Sequence, residues 1–422
     1  MKLFIKSILI LFAVLNGGAL YAQLHGQPLI DSLLKELPHQ KEDTNKVNLL
    51  TALSLTYYSI NPDEGIKYGQ QAQALATKLD WKKGIGSANN TIGVNYRFGK
   101  SDNPKALEYY QKALKIFSEI DYKKGIASVT PKIGDVYKYQ RDYPKALEYY
   151  FKAIKMDEEL GNTRETANVT GSIGDVYQMQ CDYPKALEYY FKVLKLDEEM
   201  GNKNLIAKTA GTIGTVYAKQ IDYPKALGYY YKALKIDEES GSKFEIAIVT
   251  GNIGNVYAAQ SDYPKALEYD FISLKIGEEI GNKDMIAIVT GNIGDIYTNL
   301  KNYIMAIEYE QKALKKAEEI GDKHNASQQL ENLGLAYLSL VTDTQWKAGI
   351  VRSSKMPEGK YLLSGQAGQP DAAIPAGKAA RLHKAIDYLQ QGLAICKEIK
   401  TLDVMQECYQ HLAEAYKLRG DY

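Results

Sequence analysis

Cysteine, long apolar runs and net charge are all in short supply. The chain has 422 residues and three cysteines, at 181, 396 and 408, too few and too odd a number for a disulfide framework. Cys396 and Cys408 fall on consecutive expected helices, where a bridge between them is one reading and a pair of buried, inert thiols the favoured one. Lysine and arginine total 52 against 51 for aspartate and glutamate, a formal charge of +1, and loss of Lys2 and Lys6 takes it to −1. A chain this close to neutrality has no electrostatic reason to seek nucleic acid or anionic lipid. The one pronounced apolar run, Ile8 to Leu15, is too short to span a bilayer, which needs about 20 apolar residues.

Chemistry-bearing patterns are equally sparse. Phe98-Gly99-Lys100-Ser101 lacks the earlier glycine and the preceding strand that a phosphate loop needs. Cys396, Cys408 and His411 offer at most three metal ligands with nothing to support them. The Asp-Glu-Glu runs at 157–159, 197–199 and 237–239 read as solvated helix faces. No enzyme activity, cofactor, metal or small-molecule substrate is expected.

What is present begins with an export signal. Lys2 and Lys6, the apolar run, the break at Asn16-Gly17-Gly18 and the small residues up to Ala22 have the layout of a cleaved secretory leader over 1–22. The expected location is outside the cytoplasm, in the periplasm of a bacterial envelope. Membrane association is expected only through a partner or an uncleaved leader.

The dominant feature is a forty-residue period. DYPKALEYYFK occurs at 142–152 and again at 182–192, with near-copies at 222, 262 and 302. Gly134, Gly174, Gly214, Gly254, Gly294 and Gly334 keep that spacing, as do Tyr137, Tyr177, Tyr217, Tyr257, Tyr297 and Tyr337. Such a period marks a solenoid of stacked units. In residues 163–200, Ala167, Thr170, Ile173, Gly174 and Tyr177 recur at helical intervals. Pro184 then suits the first turn of a second helix, Asp182 is placed to cap it, and Gly201 supplies the left-handed stop. Each unit reads as helix, tight turn, helix, stop. The mid-helix glycines 171, 211, 251 and 291, like the Gly174 series, are expected to allow a neighbouring helix to come close, and the Tyr177 series to fill the core.

The Gly174, Tyr177, Ala186 and Tyr190 pattern, repeated as Gly214, Tyr217, Ala226, Tyr230 and Ala233, resembles the tetratricopeptide repeat in a longer-helix form. The tryptophan common early in that repeat's first helix is replaced by Thr170, Thr250 and Thr290. The resemblance implies an all-α fold, a right-handed superhelical solenoid of antiparallel helix pairs. It divides the chain into a lead-in at 23–45, a solenoid over 46–341, an insertion over 342–381 rich in glycine and proline, and further helices with a cap over 382–422. Gly65 stands where later copies have alanine. The insertion carries Trp346, Tyr361, Leu362 and Leu363, which are candidates to dock on the array.

In such arrays the first helices line the concave face. The positions two and five before each repeated tyrosine then point inward: Asp135, Asp175, Thr215, Asn255 and Asp295, with Lys132, Ser172, Thr212, Asn252, Asn292 and Asn332. This ladder of short polar side chains suits the N–H and C=O groups of an extended peptide. It is similar to the asparagine ladders of peptide-holding arrays such as the animal spindle-orientation adaptors, and departs from the carboxylate-clamp type. The expected function is a non-catalytic exported scaffold with a protein or peptide partner. The alternative is the sensory region of a bacterial signalling protein, a histidine kinase, nucleotidyl cyclase or transcription regulator, whose membrane and effector parts are not in this sequence.

Overall fold

The computed structural model describes residues 26–343, 374–375 and 377–420. The leader at 1–22 lies outside the described residues, as do 344–373 and 376 of the insertion, with Trp346, Tyr361, Leu362 and Leu363. The described residues form eighteen α-helices and no strand, and none of these helices is long and apolar enough to cross a membrane. They divide into two compact units, Met1–Gly201 and Asn202–Tyr422.

In the first unit, α1 (Gln27–Glu36) is followed by a short 3₁₀ turn and four helix pairs: α2 (Thr44–Tyr57) with α3 (Pro62–Lys78), α4 (Lys82–Val94) with α5 (Asn103–Glu119), α6 (Lys123–Tyr139) with α7 (Tyr143–Glu159), and α8 (Thr163–Met179) with α9 (Tyr183–Glu199). In the second, the pairs are α10 (Lys203–Lys219) with α11 (Tyr223–Ser240), α12 (Lys243–Ala259) with α13 (Tyr263–Ile280), α14 (Lys283–Asn299) with α15 (Tyr303–Ile320), and α16 (Lys323–Thr342) with α17 (Lys378–Ile399). Helix α18 (Leu402–Arg419) closes it, packed on α17 and α16. Each unit is thus an all-α run of helix hairpins.

The local signals act as their chemistry requires. The Asp182 carboxylate accepts the Lys185 N–H at 3.2 Å, and Asp142, Asp222 and Asp262 do the same at the matching positions of other repeats. Each of these aspartates also pairs with the side chain of the lysine three residues on, and that lysine lies 4.8–5.2 Å over the ring of Tyr137, Tyr177, Tyr217 or Tyr257. Gly201 takes φ 65 at the end of α9.

The tight interlock lies between Gly134, Gly174 or Gly214 and the tyrosine sixteen residues on. A Cβ at any of these glycines would sit 2.8 Å from the ring of Tyr150, Tyr190 or Tyr230, and all three tyrosines are buried. The Tyr177 series packs differently: it stacks on the next helix at 5.5–5.8 Å, as in Tyr177 on Tyr189 and Tyr257 on Tyr269, and four of its six members are half-buried. Ala106, Ala146, Ala186, Ala226, Ala266, Ala306 and Ala385 are fully buried, which places Ala385, after the insertion, at the same position in its pair.

Three local departures have physical causes. Residues Gln27–Glu36 are helical, and Ile30 and Leu33 bury against Leu49 and Leu53 of α2, so part of the lead-in covers the end of the stack. The extra residue between Gly93 and Asp102 is taken up by a π turn at Asn95–Gly99, closed by Lys100 N–H on the Asn95 carbonyl. The expected close approach at Gly171 and Gly211 is absent: a Cβ at Gly171 would meet only Val193 at 3.8 Å, and one at Gly211 nothing within 4 Å. Gly65, in contrast, has a specific reason, since a Cβ there would lie 1.9 Å from the Asn95 amide oxygen. That amide is tied to the Ser54 and Thr91 carbonyls at 2.8 and 2.9 Å.

Candidate functional site

In the first unit, the ladder's carboxylates are engaged internally. Asp135 accepts the Tyr150 hydroxyl at 2.6 Å and Asp175 accepts that of Tyr190 at 2.7 Å. Burial first, then the neighbouring carboxylate, pushes both phenols well up. Lys138 joins the two rungs, 3.1 Å from Asp175 and 4.0 Å from Asp135. Ser172 turns its hydroxyl back to the Asn168 carbonyl, and Lys132 turns its ammonium back to Ser128.

In the second unit, α10 continues this habit. Thr215 accepts the Tyr230 hydroxyl at 3.1 Å, and Thr212 bonds the Lys208 carbonyl of its own helix. From α12 onward the wall changes. Asn292 donates to the Asn255 oxygen at 3.0 Å, and Asn332 donates to Asp295 at 2.8 Å. The ladder is therefore cross-linked sideways between first helices. The Asn255 NH₂ group and the Asn292 carbonyl oxygen take no part in their mutual bond.

The change coincides with a break in the repeat that sequence reasoning passed over, although it is visible as EYD and EYE at 268–270 and 308–310 in place of EYY. Asp270 and Glu310 occupy the place of the buried tyrosines, against Gly254 and Gly294, and both are fully buried. Neither Asp270 oxygen has a hydrogen-bond partner, and burial raises its pKa well above the ordinary range. Glu310 is also raised well above its ordinary value, by burial and then by Asp295. It accepts a long bond from Asn332 at 3.3 Å. Asp295 is pushed up to about 6, chiefly by burial and by Glu331. His411 on α18 bonds Glu331 at 2.6 Å, which raises the imidazole's pKa. Cys396 and Cys408 are both buried free thiols, and burial pushes Cys408 up to about 12, which removes thiolate reactivity near neutral pH.

Beside the Asn255–Asn292 bond, between α12 and α14, a cavity of about 310 Å³ opens to the surface. Asn252, Asn255 and Asn292 line it together with Phe244, Ile248 and Ile288. Three residues of the ladder thus meet at one concave feature. Asp295 and Asn332 lie one rung further on.

The comparisons with known proteins agree with this architecture. A tetratricopeptide repeat model matches residues 84–159, 125–199 and 205–270, and a second matches 291–320. No curated protein matches the sequence. Among solved structures, the apo form of RapI is 18% identical, with 74% of this chain and 92% of that one covered and a TM-score of 0.53. The apo form of the quorum sensor NprR from B. thuringiensis is 17% identical, with 68% and 80% covered and a TM-score of 0.53. The signal transduction ATPase PH0952 from Pyrococcus horikoshii, which carries a tetratricopeptide repeat sensor, is 16% identical with a TM-score of 0.54, and the match covers 76% of this chain and 50% of that one. Together with the interlocked helix pairs, the repeat models show that this chain belongs to the tetratricopeptide repeat family.

Proposed function

We propose that the chain is an exported, non-catalytic scaffold that holds an extended segment of another polypeptide along the first helices of its second unit. The observation that carries this is the asparagine wall beside the α12–α14 cavity. Asn255 and Asn292 hold each other in place through one bond at the cavity, which leaves the Asn255 NH₂ group and the Asn292 carbonyl oxygen out of that bond. A peptide backbone alternates the same two functions, and amide side chains fixed in advance lose little rotamer freedom on binding it. The leader pattern at 1–22 supports an envelope location, and the near-zero charge favours a protein partner over nucleic acid.

The test is capture from a bacterial envelope fraction by the mature chain. Replacing Asn252, Asn255, Asn292 and Asp295 with alanine should abolish capture and leave the far-ultraviolet circular dichroism unchanged. Capture that survives the four substitutions overturns the reading.

A further inference from the structure

We propose that the cavity between α12 and α14 is an anchor pocket for one large uncharged side chain, aliphatic or aromatic, of the bound peptide. This rests on the peptide-holding reading and adds the partner's side-chain chemistry to it.

The repeat itself supplies the main argument. Ile248 and Ile288 occupy a register that is polar in other repeats, where it reads Ser128, Asn168, Lys208 and Gln328. The two isoleucines are 38% and 48% exposed, and Phe244 beside them is 46% exposed. Apolar side chains therefore replace polar ones on the two helices that bound the cavity, and there they face water. Apolar surface gathered at one concave place marks a binding site more often than apolar residues scattered singly.

Size and polarity narrow the occupant. At about 310 Å³ the cavity stands at the lower end of ligand sites, room for one bulky side chain. The Ser273 hydroxyl in its wall is already satisfied by the Ala247 carbonyl at 2.7 Å, so the inner surface makes no polar demand there. Asp284, exposed at the rim, is the one ionisable group among the described lining residues. It repels an acidic side chain, and alone it cannot replace the hydration a lysine or arginine would lose among Phe244, Ile248 and Ile288. Asn282 is engaged with the Met285 N–H, and Asn252, Asn255 and Asn292 remain for the backbone on either side of the anchor. Gly251 keeps the floor low: a Cβ there would meet Ser273 Oγ at 3.4 Å and Val289 Cγ2 at 4.0 Å, so a longer side chain fits at its root and would fill the space.

The experiment titrates the full chain with four blocked amino acids, N-acetyl-L-leucinamide, N-acetyl-L-tryptophanamide, N-acetyl-L-lysinamide and N-acetyl-L-glutamic acid amide, followed by isoleucine methyl NMR. The first two should bind saturably at least tenfold tighter than the charged pair and shift the Ile248 and Ile288 methyls. Gly251→Leu should remove that binding by filling the cavity. Ile288→Asp, a surface change that does not depend on core packing, should weaken it at least tenfold. Equal binding of all four probes, or apolar binding that persists in Ile288→Asp, overturns the pocket whatever the envelope capture shows. Capture by the alanine variant is scored separately and bears only on the peptide-holding reading.

Discussion

Asp270→Asn should make the second unit more stable at neutral pH. Asp270 is fully buried, both its oxygens lack partners, and burial raises its pKa well above 3.8. Burial disfavours the charged form, so the folded chain holds this proton to higher pH than the unfolded chain does, and folding near neutral pH is coupled to proton uptake. Its favourable contribution is whole below pH 3.8 and is lost as pH rises through the folded value. About three pH units separate 3.8 from neutrality, and at roughly 1.4 kcal/mol each they set a ceiling of about 4 kcal/mol on the protonation cost. Asparagine has nearly the same shape and buries an NH₂ where the protonated carboxyl buries an O–H, so most of the desolvation penalty is carried over and the titration disappears. The expected gain at pH 7 is about 2–4 kcal/mol, or roughly 5–10 °C in melting midpoint for a unit of this size. At pH 4 the gain should vanish. Melts followed by circular dichroism at the two pH values, wild type against variant, decide the matter. An equal gain at both, or a loss at pH 7, would refute the reasoning, because either result means the carboxyl is not held neutral by burial.

Other outcomes follow from the same geometry. Lowering the pH from 7.5 to 5.5 should stabilise the second unit, because Asp295, pushed up to about 6, and His411 both have raised folded values whose benefit grows on acidification; Asp295→Asn should remove part of that slope. Gly211→Ala and Gly214→Ala, three residues apart on α10, should shift the melting midpoint in opposite directions. The first meets open space and gains about 1 kcal/mol of helix propensity, and the second drives a methyl into the Tyr230 ring and costs about 1–3 kcal/mol. Ile221 holds φ 63, a left-handed backbone costly for a β-branched residue. Ile221→Asn should therefore raise the midpoint by about 0.5–1 kcal/mol equivalent.

Much of this was legible because each signal was local. Asp182, Pro184 and Gly201 act within a few residues of their own backbone, so their chemistry survives translation from sequence to structure. The Gly174 partner was legible only in part, since the glycine's period was visible but its contact lies on the other helix of the pair. Gly171 and Gly211 share that period without sharing the contact, and period alone cannot tell a crowded helix face from an open one. The sideways bonds Asn255–Asn292 and Asp295–Asn332 link residues 37 apart, and no spacing rule anticipates which amides will meet. Asp270 and Glu310 were readable as departures from EYY, but their meaning depends on full burial, which a polar residue in a helix does not announce.

The Gly–Tyr interlock, with its aspartate cap and left-handed stop, also makes the length of this protein discrete. Where successive blocks share one joint, as α6 with α7 and α8 with α9 do, excising residues 143–182 would bring Gly134 against Tyr190 in the same socket that Tyr150 now fills. Reach can then change by whole blocks during evolution without any joint being redesigned, whereas a shift of a single residue must be absorbed on the spot, as the widened turn at Asn95–Gly99 does.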